Sequence, residues 1–305
     1  MWKEVSRWFN RLKRAAIVQM LKKAALDWYD DNTFMLGAAL AYYAVFATAP
    51  VLLITIAVAS LALGKEAAQG QLVQRIADTV GPTVARAIES TLTYAYTSGS
   101  GTTATILSLA LLVFAATGLF SQLQNALNLI WKVKPKPGRG MLGVLKDRFW
   151  SFVMVLVIGA LLLGLLVVNG AMLALGRFLG ASSSPGGLHV WDALQLLLSF
   201  MFLTVLIALV YQVLPDVRIA WRDVWVGAGL TALLFLLGNY LISLYLSRSA
   251  TASAYGAAGS FAVILLWVYY ASQALLFGAE FTQVYAKRGG RPIAPTDNAT
   301  AVTRS

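Results

Sequence analysis

Gln273 and Glu280 stand seven residues apart in one apolar run, residues 261–281, and so lie roughly on the same face of a helix. Only Ser272 is otherwise strongly polar in that run. At about 1.5 Å per residue it spans about 30 Å, the thickness of a bilayer's hydrocarbon core. A carboxyl group there is costly unless it meets a partner, water or a proton. It can couple transport to protons, repel the wrong solute, or only close an ion pair with Arg148 or Lys287. Further polar side chains sit near the ends of other apolar runs. They are Gln122, Asn125 and Asn128 in residues 103–130, Tyr211 and Gln212 ahead of Pro215, and Tyr43 in residues 35–63. Amides and phenols in lipid turn inward, where they tie helices together or replace the hydration of a polar guest. The expectation is that these groups line a shared cavity open toward the cytoplasm.

Other chemistries lack their groups. The chain has one histidine, His189, and no cysteine. Clustered imidazole or thiolate ligands are therefore excluded, and with them the metal sites that cleave RNA. The pattern GxxxxGK[ST] is absent, so this chain offers no phosphate-binding loop for ATP. No catalytic residue, metal or cofactor is expected, and the chain does not read as an enzyme.

The elements that must position these residues follow from composition. Hydrophobic residues make up 59% of the 305, and charged residues only 12%. Such a chain cannot cover its apolar surface in water. The expected fold is an all-α integral membrane protein with six transmembrane helices, near 35–63, 103–130, 149–179, 191–214, 224–246 and 255–286. Pro50 should break the first helix and Pro215 stop the fourth. Residues 1–33 read as a cytoplasmic arm lying in the membrane surface as an amphipathic helix. Lys3, Arg7, Arg11 and Arg14 fall on one of its faces, and Val5, Phe9, Leu12 and Ala16 on another. Asp31, Asn32 and Thr33 offer caps for the next helix. Residues 64–102 carry two short apolar stripes divided at Gly81-Pro82, expected as a periplasmic helical hairpin. The membrane domain then covers 34–287, and 288–305 is expected to be a disordered tail.

The net charge of +11 has a membrane explanation. With six helices, 19 of the 24 basic residues fall on the side of the two termini. Basic loops stay cytoplasmic, so both termini are expected inside. No nucleic acid is needed as a partner. Lys136, Arg139, Lys146 and Arg148, in the loop after the second helix, could gather anionic head groups. Small residues in the last two helices could pack internally or in a homo-oligomer.

Three segments carry a resemblance. ALAYYAVFATAPVLL (39–53), YQVLPDVRIAWRDVWVGA (211–228) and YGAAGSFAVILLWVYYASQALLFGAEFT (255–282) resemble the YihY/virulence factor BrkB family of bacterial inner-membrane proteins. Matching positions are Tyr43, Pro50, Pro215, Trp221, Gly227, Tyr255, Gly256, Trp267, Tyr269, Gly278 and Glu280. The family's serine before the alanine-proline pair is replaced here by Thr48-Ala49. The resemblance implies a six-helix inner-membrane protein. It also brings an older ribonuclease BN label, against which the residues argue, and an implied role in moving lipids or in serum resistance. The leading expectation is a translocator of a lipid or other amphiphilic anion. The alternative is a non-transport membrane scaffold or envelope-assembly factor.

Overall fold

The computed structural model describes residues 2–47, 118–136, 164, 190–248, 256–291, 293–297 and 299–302. Within them the chain is mostly helical. Helix α1 (Trp2–Asp30) leads through a sharp turn into α2 (Thr33–Ala47). Helix α3 (118–130) runs into strand β1 (Val133–Pro135). Helix α4 (Val190–Val213), strand β2 (Val217–Arg218), α5 (Trp221–Arg248) and α6 (Gly256–Arg288) follow. Strands β3 (Ala294–Pro295) and β4 (Ala299–Ala301) close the order.

Among the described residues, three helices are long and apolar enough to cross a membrane, over Leu196–Val213, Trp221–Ile242 and Ile264–Arg288. The first, 18 residues long, spans about 27 Å. Leu196, Leu197 and Met201 on α4, Leu233 and Leu237 on α5, and Leu265 and Leu266 on α6 are exposed, as a lipid-facing surface requires. The α4, α5 and α6 helices begin or end within three residues of the expected bounds. The third expected helix (149–179) apart from Gly164, the hairpin (64–102), Pro50, and the loop residues Arg139, Lys146 and Arg148 lie outside the described residues.

Small residues let α5 and α6 meet closely. A methyl group on Gly227 would overlap Thr282 and crowd the Gly278 carbonyl; one on Gly278 would overlap Thr231 and Tyr211. Thr231 and Thr282 turn their hydroxyls back onto the carbonyls of Gly227 and Gly278, at 2.9 and 2.6 Å, so no donor is stranded in the seam. The core beside this seam holds Leu127 and Ile130 of α3, Ile207 and Tyr211 of α4, Val224 and Ala228 of α5 and Leu276 of α6. Helix α1 packs on another face of α6, where Met20 and Ala24 meet Phe281 and Val284.

Several connections converge at one end of the bundle. The α1–α2 turn places Asn32 in the left-handed region (φ 52°), a conformation asparagine tolerates. Thr33 Oγ1 donates to the Trp28 carbonyl at 2.5 Å and pins the turn. Helix α3 ends in the same way, with Lys132 left-handed (φ 57°) just before β1.

The segment after α6 corrects the expectation of a disordered tail. Gly290 (φ 65°) reverses the chain. β3 then pairs antiparallel with β2 (Val217 opposite Pro295), and β4 with β1 (Val133 opposite Ala301). Arg291 donates to Asp223, a carboxylate nearly sealed from solvent. The tail is polar in sequence, but its partners are the unpaired backbone of β1 and β2 and one buried charge.

Candidate functional site

Helix α6 presents two faces near this end. Gly278 and Thr282 turn to α5, as above. Glu280 and Gln283 turn the other way, to the ends of α1 and α3. Gln283 donates to the Ile130 carbonyl, close to where α3 stops. Glu280 is fully buried, and neither of its oxygens receives a hydrogen bond from a protein donor. The charges of Asp31, in the α1–α2 turn, Asp27 and Lys132 act on it. Lys132, at the end of α3, donates to Asp31. The sequence offers Arg148 or Lys287 as a partner for Glu280. Arg148 lies outside the described residues, and Lys287 acts on Glu280 only from a distance, through its charge.

Beside this cluster is a recess of about 430 Å³. It is lined by the polar residues Asp30, Asp31, Asn32, Asn125, Asn128, Lys132 and Lys134. Leu129, Val133, Pro135 and Val302 of the tail line it as well. Asn128 is held by two bonds with Asp216, donating at 2.9 Å to the carboxylate and accepting at 2.8 Å from the backbone amide. Asn125, one turn earlier, is exposed and lines the recess. A second, apolar groove of about 370 Å³ lies between α2 and α6, lined by Ala38, Ala41, Ala262, Leu265, Leu266 and Tyr269.

The polar residues singled out from sequence thus divide. Asn125 and Asn128 line the recess, and the charge of Asp31, another lining residue, acts on Glu280. Three others stitch backbone. Tyr211 donates to the Leu275 carbonyl at 2.5 Å and meets Thr231 at 2.8 Å. Gln212 donates to the Ile219 carbonyl at 3.2 Å. Gln273 donates to the Thr33 carbonyl at 3.2 Å, its amide filling the space left by Gly37. Gln122 is half-buried on α3 and outside the recess wall. Tyr43 is exposed, its ring 5.8 Å from that of Tyr42. Pro215 is buried where α4 ends, and Lys136 donates to the Asp297 carbonyl at 2.9 Å.

Sequence reasoning missed Asp31 and Lys132 as site residues. Asp31 reads as a helix cap and Lys132 as a membrane-interface marker. The usable signal was that each stands at the boundary of an apolar run, at the depth that Glu280 occupies on its own helix. Asp223 and Arg291 were missed as a pair for the same reason.

Residues 25–301 match the profile of the virulence factor BrkB family. The chain belongs to that family. It is 28% identical over 277 residues to a UPF0761 membrane protein of Alcanivorax borkumensis, covering 90% of this chain and 61% of that protein. A UPF0761 membrane protein of Pseudomonas aeruginosa is 29% identical over 268 residues, covering 86% and 61%. One from Verminephrobacter eiseniae is 30% identical over 226 residues, covering 72% and 49%. The chain spans about three-fifths or less of the length of these curated relatives. No solved structure matches it. With three helices long enough to span a bilayer and relatives named as membrane proteins, this BrkB-family chain is a membrane protein. Asp31, Lys132 and Glu280, together with the recess apart from Val302, fall inside the matched region.

Proposed function

We propose that the protein translocates an amphiphile, an anionic lipid or a similar molecule, and that the recess receives its head group at the cytoplasmic leaflet of the inner membrane. One observation carries the reading. A recess of about 430 Å³, lined by amides, two lysines and two aspartates together with apolar side chains, lies beside a fully buried carboxyl group. An amphiphile likewise combines polar and apolar surface. Asn125, Asn128 and Lys134 would replace part of the head group's hydration, and Lys132 would add a positive charge. The apolar groove between α2 and α6 is suited to an acyl chain. The basic stretches that the positive-inside rule places in the cytoplasm include the ends of α1 and α3 that build the recess.

A photoactivatable phosphatidylglycerol with its reactive group near the head tests this reading. Purified protein in nanodiscs is irradiated and the labelled peptides are mapped. The expected labels fall on residues 118–136 and on the α1–α2 turn, and Asn125→Trp, which fills the recess, removes most of them. Labels confined to the exposed faces of α4 and α5 would contradict the proposal.

A further inference from the structure

Among the described residues that line the recess, only Val302 belongs to the tail. Its backbone amide donates to the Lys132 carbonyl at 2.8 Å. Lys132 holds a left-handed conformation (φ 57°), which strains any residue with a Cβ, and a bond to its carbonyl helps to keep it there. From that position its ammonium donates to Asp31, another lining residue. The end of the tail therefore both borders the recess and steadies the lysine that puts a positive charge in it.

The tail is held unevenly along its length. Its root is seated in the protein: Arg291 donates to Asp223, Ile293 packs on the core, and the Thr296 amide donates to the Asp216 carbonyl at 3.0 Å. Asp216 is also the residue that holds Asn128. A short turn follows, closed by the Ala299 amide on the Thr296 carbonyl at 3.0 Å. The tip, residues 299–302, has much weaker hold. Ala299 buries only a methyl group, and Thr300 and Ala301 are exposed. The side-chain ties at the turn stand in solvent, Arg218 to the Asp297 carboxylate at 3.0 Å and Lys136 to the Asp297 carbonyl at 2.9 Å. Exposed ties of this kind contribute little, which leaves the short ladder of 299–301 on β1. Local opening is drawn from such segments. We propose that the tip is a gate on the recess: it lifts from β1 about the turn at Asp297 while the root stays seated, and so opens that side of the recess to water. That the gate admits a lipid head group rests on the translocation reading; the gate itself does not.

The chain has no cysteine, so an engineered disulfide can lock the tip reversibly. Val133 and Ala301 stand opposite each other in the β1–β4 register, and Val133→Cys with Ala301→Cys places two thiols at cross-strand spacing. The full chain in nanodiscs is compared oxidised and reduced. Hydrogen exchange reads the gate. Corrected for sequence, the Val302 amide should exchange about tenfold or more faster than the Thr296 amide when reduced, and oxidation should remove the difference. A water-soluble acetylating reagent reads the recess. Lys132 should react about tenfold more slowly when oxidised and recover on reduction, while Lys22, exposed on α1, reacts alike in both. Val302 and Thr296 amides that exchange together in the reduced form, or a Lys132 rate that ignores the lock, overturns the proposal. If the cysteine pair fails to fold or to oxidise, Thr300→Pro takes its place, because it removes a backbone donor from the tip. It should speed Lys132 acetylation, and an unchanged rate overturns the proposal. The photoactivatable lipid separates the two readings. A lock that slows Lys132 in a protein that lipid never labels supports the gate and retires the head-group reading. Lipid labelling of residues 118–136 that is equal in locked and unlocked protein overturns the gate and leaves the head-group reading standing.

Discussion

At the scale of single residues, the Asp31–Lys132 pair is the interaction most sensitive to substitution. Asp31 is almost wholly buried, its side chain 2% exposed, and Lys132 is 29% exposed. Removing the lysine takes a counter-charge from a buried carboxylate. Lys132→Met is expected to cost about 3 kcal/mol, read as a clear fall in detergent melting temperature, and Lys132→Met with Asp31→Asn should recover most of it. A single variant as stable as wild type would show that solvent already screens the pair. Glu280 was legible in the sequence because a carboxyl in an apolar run must meet a partner, water or a proton. Asp31 was not, because it lies far away in the chain and its type also suits a helix cap. Nor could sequence separate Asn125 and Asn128, which face a space, from Tyr211, Gln212 and Gln273, which tie down carbonyls. All five are polar groups within or at the ends of apolar runs, and only the neighbouring backbone distinguishes them.

At the scale of elements, two contacts hold this end of the bundle. The first is the α5–α6 seam. Gly278→Ala would drive a methyl into Thr231 and Tyr211, and is expected to destabilise by about 1–3 kcal/mol in a thermal unfolding series. Gly229→Ala on the same helix as Gly227 meets open space and serves as the control, with little change expected. The second contact is the strap formed by the tail. Arg291→Ala strands Asp223, whose side chain is 1% exposed, and should cost about 2 kcal/mol; Arg291 is itself partly in solvent, which keeps the figure below that of a fully buried pair. The apolar runs of α4, α5 and α6 were readable because lipid-spanning length leaves a strong signal. The strap was not. Its residues are polar and its strands two or three residues long, so nothing in their pattern distinguishes pairing from disorder until β1 and β2 are in place.

At the scale of the whole molecule, the α1–α2 turn, the end of α3, the α4–α5 turn and the tail meet at one end. These belong to the same stretches that hold most of the basic residues. The positive-inside rule then predicts that a fluorescent protein fused after Ser305 will fluoresce in the cytoplasm, whereas alkaline phosphatase at the same place will be inactive. The reverse pattern would turn the recess to the other leaflet. The account's central claim is movement of an amphiphile through that recess, and the direct measurement is dithionite quenching of fluorescent phosphatidylglycerol in vesicles. Reconstituted wild type should expose inner-leaflet lipid well above the rate of protein-free vesicles, and folded Asn125→Trp should return it to that background. Wild-type rates equal to protein-free vesicles, or unaffected by filling the recess, would contradict the account.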